Sequence, residues 1–316
     1  MYKKKVLSMT VAAAMSISGL ALTAVAQATT QAEQELRDYL SSIGIEDNFS
    51  WERIKGDTLS DATVYGVTYI KDKGTADEQR VLIKEMDFDD YSVSEEGVSV
   101  DVSYQGITDE DGVHFLLSEK LRPELHFQGL GYRQLDDAEV KLKYTMDKAM
   151  GGLEGEFKFE QDDVLDTAFD FKTEGLDMLI DQLVSMDIAA LDPNMIMLSA
   201  MATKIHRLNL TLEDDGYNKR LLEHKAEHRS NIEEQYADCL QGVGEFNLSE
   251  LEQGCVAIRD YFLDKKDKLH LSVNPAKPFS IGEYLPMFML VGSSGPDAVE
   301  KLVKRILAEL NLKVSN

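Results

Sequence analysis

Val140-Lys141-Leu142-Lys143-Tyr144 puts an apolar side chain at every second position with a lysine between, and Phe157-Lys158-Phe159-Glu160 repeats the pattern. Successive side chains of a β-strand point to opposite faces, so a period of two buries one face and wets the other. Strands of parallel sheets are covered on both faces and read as unbroken apolar runs. These two segments therefore belong to an antiparallel sheet with one solvated face. Gly151-Gly152 lies between them and Gln161-Asp162-Asp163 follows, which are the turns a meander needs.

The same alternation extends in both directions. Upstream, Phe49 to Lys55, Ala62 to Lys71, Arg80 to Asp89 and Val98 to Tyr104 read as strands; around the opening pair, Ala138 to Met146, Leu153 to Glu160 and Thr167 to Thr173 do so. Before them, Gln31 to Ile43 is a helix. Ala32, Leu36, Tyr39, Leu40 and Ile43 form its apolar stripe, Thr30 and Glu33 have capping-box spacing, and Gly44 sits where a left-handed cap belongs.

The pattern changes near Gly175. Helical periodicity takes over in Leu176 to Met186 and in Asn194 to Ala202, the latter begun by Asp192-Pro193. Further helices are expected over Tyr217 to His228, Asn231 to Leu240, Ser249 to Leu263, Ile281 to Val291 and Pro296 to Leu310, with Pro286 inside the fourth. Strands Ile205 to Leu212 and Lys268 to Val273 interrupt them. Strands followed by helices give an α+β class: one long twisted antiparallel sheet, helices on one face, residues 29–174 mostly strand and 175–316 mostly helix.

The chain opens with Lys3, Lys4 and Lys5, an apolar run from Val6 to Ala26, and small residues at Ala24, Ala26 and Ala28. That is the layout of a cleavable secretory signal, residues 1–28. Ser8, Thr10, Ser16, Ser18 and Gly19 interrupt the run, which argues against a membrane anchor. The expected address is the periplasm or the extracellular medium, with no transmembrane segment left after cleavage. Cleavage would leave 288 residues and take the formal charge from −24 to −27, because three lysines and no acid are removed. So acidic a chain repels phosphate backbones, and no nucleic-acid partner is expected. Cys239 and Cys255 are the two cysteines of the chain, and in an oxidising compartment they are expected to pair across a helical hairpin turning at Gly242-Val243-Gly244.

Chemistry-bearing patterns are sparse. His224-Lys225-Ala226-Glu227-His228 has the H-x-x-E-H order; on one continuous helix His224 and His228 would stand a turn apart and could share a zinc ion, with Glu227 acting on bound water. The alternative is a packed helix face through Tyr217, Leu221, His224, His228 and Ile232. Met195, Met197, Met201, Met287 and Met289 lie among Ile, Leu and Phe, and suit either core packing or an adaptable apolar ligand surface; soft-metal binding by thioethers is a third reading. Asp109-Glu110-Asp111-Gly112 and Glu213-Asp214-Asp215-Gly216 lack the remaining ligands of a calcium loop and read as turns. Gly292-Ser293-Ser294-Gly295 is one residue short of a nucleophile elbow. No phosphate loop or dinucleotide fingerprint is present, and no cofactor is expected. The reading that follows is an exported binding or accessory protein holding a lipid or other amphiphile between sheet and helices. The alternatives are an envelope protein that engages a protein partner, and a metal-dependent hydrolase built on the histidine pair.

Overall fold

Twelve strands form one antiparallel sheet in a computed structural model of the chain, described here for residues 30–42, 44–122, 127–176, 198–199, 201–291 and 295–316. Its path is β1 (Phe49–Ser50), β3 (Thr63–Lys71), β4 (Gln79–Val93), β5 (Gly97–Asp109), β6 (Glu139–Asp147), β7 (Gly152–Gln161), β8 (Leu165–Glu174), β9 (Lys204–Asp214), β10 (Lys268–Val273) and β12 (Leu312–Ser315). β2 (Arg53–Lys55) pairs with β3, and β11 (Phe279–Ser280) pairs with β9. Neighbours in space are nearly neighbours in sequence, as the turn signals required.

The register aligns the apolar positions into rows crossing the sheet. Val102, Leu142, Phe157, Phe169, Leu210 and Leu271 lie opposite one another from β5 to β10. The adjacent row runs Tyr91, Val100, Tyr144, Gly155, Phe171, Leu208 and Val273. The reverse face carries cross-strand ion pairs: Lys141 with Asp89 and Asp101, Lys143 with Asp101, Lys172 with Glu154, and Arg207 with Asp170 and Glu154. Opposite charges directly across a pair favour the register, while each exposed pair adds little stability.

All described helices that touch the sheet lie on the apolar face. α1 (Gln31–Ser42) buries Ala32, Leu36 and Leu40 against Val64, Met86, Val100 and Val102. Thr30 Oγ1 accepts from the Glu33 amide at 3.2 Å, and Gly44 ends the helix at φ 72° with the Ile45 amide reaching the Leu40 carbonyl. At the far end α4 (Glu252–Phe262) sets Ala257 and Tyr261 on Leu212 and Leu269, and α5 (Ile281–Val291) with α6 (Pro296–Leu310) covers Ile205 and Phe279.

Four expectations need correction. Phe49 to Lys55 is two short strands, because the chain leaves the ladder at Trp51-Glu52 and the Glu52 side chain crosses Gly66, which has φ 62°. Tyr217 to His228 is not one helix: α2 (Tyr217–His224) ends at Lys225, which is extended, and α3 (His228–Glu245) begins anew. Tyr217 and Leu221 pack under the sheet while Tyr236, Leu240 and Val243 pack in the helical hairpin, so the chain must change direction between them. Gly242 and Gly244 continue α3, and the hairpin turns at Asn247, φ 48°; a helical glycine costs only about 1 kcal/mol, and asparagine accepts left-handed backbone. Lastly, the second half is less helical than expected, since β9 to β12 extend the sheet to the C-terminus.

Cys239 and Cys255 form a disulfide, Cα atoms 6.0 Å apart, between α3 and α4. The closed loop is short, with 16 positions separating its ends. Replacing both cysteines by serine is expected to lower unfolding free energy by about 3 kcal/mol through the freed unfolded chain. A urea denaturation midpoint equal to the parent's would show that the hairpin is held by its packing alone.

Candidate functional site

The apolar face outruns the described helices that cover it. α1 closes it over β3 to β6, and α4 to α6 close it over the outer edge of β9 and over β10. Between them, Phe157, Phe169, Phe171, Leu208, Leu210 and Leu271 join none of the buried clusters formed by the described residues. Each is half-buried except Phe157, whose ring is 36% exposed on a central strand. Phe169 and Phe171 stack with centroids 5.5 Å apart. Gly155 makes room for this: a β-carbon there would stand 2.7 Å from the Phe171 ring, so only glycine lets that ring lie flat across β7.

Four tyrosines bound this floor on the α1 side. Tyr39 of α1, Tyr91 of β4, Tyr104 of β5 and Tyr144 of β6 converge, with the Tyr39 and Tyr144 hydroxyls 3.4 Å apart and the Tyr39 and Tyr91 rings edge to face at 5.7 Å. Burial pushes all four phenols above their ordinary range, Tyr91 to about 12. They are therefore neutral hydrogen-bonding groups at any physiological pH. Among the described residues neither the Tyr91 nor the Tyr104 hydroxyl has a hydrogen-bond partner.

A second polar group lies in the loop after β5. The Asp109 carboxylate accepts from the amides of Asp111 and Val113 at 2.9 Å and from Ser118 Oγ at 2.6 Å. His114 Nδ1 accepts from the Leu116 amide at 3.2 Å, and Gln161 donates to the Asp136 carbonyl. Burial pulls the His114 imidazole below its usual range against the opposing influence of Asp137 and Gln161. Serine, histidine and aspartate occur together, but the serine proton goes to the aspartate and the imidazole nitrogen is taken by a backbone amide. The cluster anchors a loop and lacks the arrangement of a nucleophile and its base.

The residues singled out in the sequence fall in separate places. His224 ends α2 with Nε2 3.2 Å from where a β-carbon of Gly131 would stand. His228 begins α3, and burial lowers its pKa while a hydrogen bond with the Phe262 carbonyl opposes that shift. The helical spacing on which a shared ion depended is absent. Among the described residues no group of three or more His, Cys, Asp or Glu is placed to hold a metal ion. Met287 packs with Ile205, Tyr284 and Ile306. The Met201 carbonyl sits 2.2 Å from the missing β-carbon of Gly282, bringing that residue to the start of α5. Met195, Met197, the Met289 side chain, the expected signal segment, the expected helix over Leu176 to Met186 and the Gly292-Ser293-Ser294 stretch lie outside the described residues. Both acidic loops are turns: Gly112 and Gly216 have φ 76° and 105°, and the Asp214 carboxylate accepts from the Gly216 and Asn218 amides.

The floor itself was not singled out from sequence. Thr167 to Thr173 and Ile205 to Leu212 do alternate, but alternation marks a face without saying which part the described helices pack against. The floor's outer strands fall within the one stretch that comparison recognises. Residues 158–316 match a protein family described as an uncharacterized protein. The chain belongs to this family. No curated protein matches it. The match takes in β8 to β12 and α2 to α6 entirely, so Phe169, Phe171, Leu208, Leu210 and Leu271 belong to the shared part, whereas α1 and the four tyrosines precede it. No helix among the described residues is long and apolar enough to cross a membrane.

Proposed function

We propose that this chain is an exported binding protein that holds a lipid or other amphiphile on the apolar face of its sheet. The observation that carries the proposal is the partly exposed floor of three phenylalanines and three leucines between two groups of described helices. Apolar surface left facing water on a central strand is costly, at about 25 cal/mol per Å², and a ligand that buries it recovers that energy. The disulfide supports an oxidising compartment, and the charged N-terminal pattern supports export. Native mass spectrometry of protein purified from its own compartment tests the reading. An added mass that partitions into organic solvent is expected; a bare monomer mass, together with no uptake of an apolar fluorescent dye, would overturn it.

A second reading, engagement of a protein partner, has one observation in its favour. β12 ends the sheet, paired on one side only among the described residues, and beside it runs a cleft of about 300 Å³ lined by Ile258, Leu312 and Val314. Such an edge can add a strand from another chain. Four residues make a short edge, which is why the floor is preferred.

A further inference from the structure

We propose that the occupant of the floor is a single-chain lipid with an uncharged, hydrogen-bonding head, such as a monoacylglycerol, and that its head is held by the hydroxyls of Tyr39, Tyr104 and Tyr144. This rests on the amphiphile reading above and names the ligand class for it. Three observations converge on it.

The first is placement. Tyr144 lies directly opposite Gly155, which lies opposite Phe171, which lies opposite Leu208. Tyr144 therefore places the tyrosine cluster at one end of a row of the floor. From β6 to β10 is four strand spacings, about 19 Å, the reach of one long acyl chain laid across the strands.

The second is unspent hydrogen-bonding capacity. The Tyr39 and Tyr144 hydroxyls share one bond, and the Tyr104 hydroxyl has no partner among the described residues, although the ring sits in the middle of the sheet. A hydroxyl both donates and accepts, so each of these groups keeps capacity for a ligand oxygen.

The third is charge. The charged side chains acting on Tyr91, whose ring meets Tyr39 edge to face, are Glu35 and Asp38 of α1, both acidic. A carboxylate or phosphate head would bring a further negative charge to this side of the floor, which is unfavourable. A hydroxyl or ester head carries no such penalty and both donates and accepts.

The experiment uses the full mature chain and the apolar dye 1-N-phenylnaphthylamine, displaced by 1-monooleoylglycerol or by oleate in alkaline buffer, where oleate is a carboxylate. Monooleoylglycerol is expected to displace the dye at lower concentration than oleate. The double variant Tyr104→Phe, Tyr144→Phe is expected to weaken monooleoylglycerol about thirtyfold and leave dye affinity unchanged, because each hydrogen bond contributes about 1 kcal/mol. Tyr104→Phe alone, expected to give about a fivefold loss, serves if the double variant melts early. Oleate competing as well as monooleoylglycerol, or variants competing like the parent, would overturn the head assignment while the floor still bound dye. Failure of the parent to bind dye would overturn both readings.

Discussion

Replacing Asp109 by alanine is expected to lower the stability of the protein by about 3 kcal/mol, because three donors would lose their acceptor at once in a buried place. Asp109 is 3% exposed and its two oxygens take the Asp111 amide, the Val113 amide and the Ser118 hydroxyl. Ser118 Oγ in turn accepts from the Leu121 amide, so the loss would spread through the loop between β5 and β6. The pH dependence has a definite sign. Burial raises the carboxyl pKa, but the bonds from Ser118, Val113 and Asp111 and the nearby Lys120 outweigh it, and the net position is below the ordinary value. A carboxylate held below its unfolded pKa of about 3.9 contributes its full stability above that pH and loses it as pH falls through the folded value. The difference between parent and Asp109→Ala should thus be constant from neutral pH to about 5 and shrink below about 4. His114, lowered by burial, destabilises both proteins alike as pH drops through about 6.5, and so cancels in the difference. Urea midpoints at several pH values decide the matter; an unchanged midpoint at neutral pH would mean the loop is held by Leu116 and Leu117 packing and not by the carboxylate.

The sheet was legible because its residues state their own environment. Lys141 and Lys143 flank Leu142 whether or not the neighbours are known, and the observed pairing of Leu142 with Val102 and Phe157 follows from keeping apolar side chains on one side. The helices were legible as amphipathic segments, but their ends were less so. Lys225 breaks a pattern that reads as continuous, since Tyr217 and Tyr236 are drawn to different clusters, and only tertiary structure says so. Asn247 and Gly242 each can turn a chain; which one does depends on how far α3 must run before Leu248 and Cys255 meet Val243. The terminal strand β12 escaped notice because Leu312 to Ser315 is short and follows a helix without a break in hydrophobicity. The spacing of His224 and His228 is broken for the same reason as the helix that was meant to carry it. The floor required information of a different kind: Phe169 looks no different in sequence from Phe88, yet Phe88 is 2% exposed under α1 and Phe169 is not covered in that way.

That difference makes Phe169→Asp the most informative single change for function. The residue faces Phe157 and Leu210 across its neighbouring strands and stacks on Phe171, so a carboxylate there would sit at the centre of the floor. Because the position is half-buried, the charge keeps part of its hydration, and the cost to folding should be about 1 to 2 kcal/mol, well short of what a sealed core would exact. An acyl chain, by contrast, would have to strip that remaining water, and affinity for 1-N-phenylnaphthylamine or monooleoylglycerol is expected to fall at least tenfold. Thr145→Asp is the matched control. It adds the same charge to the same sheet, but Thr145 is exposed on the reverse face, opposite Ser99 and Glu154, and its binding should equal the parent's. Equal loss in both variants would place the effect in the net charge of a chain already at −24. Unaltered binding in Phe169→Asp would move the ligand off the sheet altogether and leave the edge of β12 as the surface to explain. Loss confined to Phe169→Asp would locate the ligand on one side of one strand, at a half-buried position of the alternation that builds the fold.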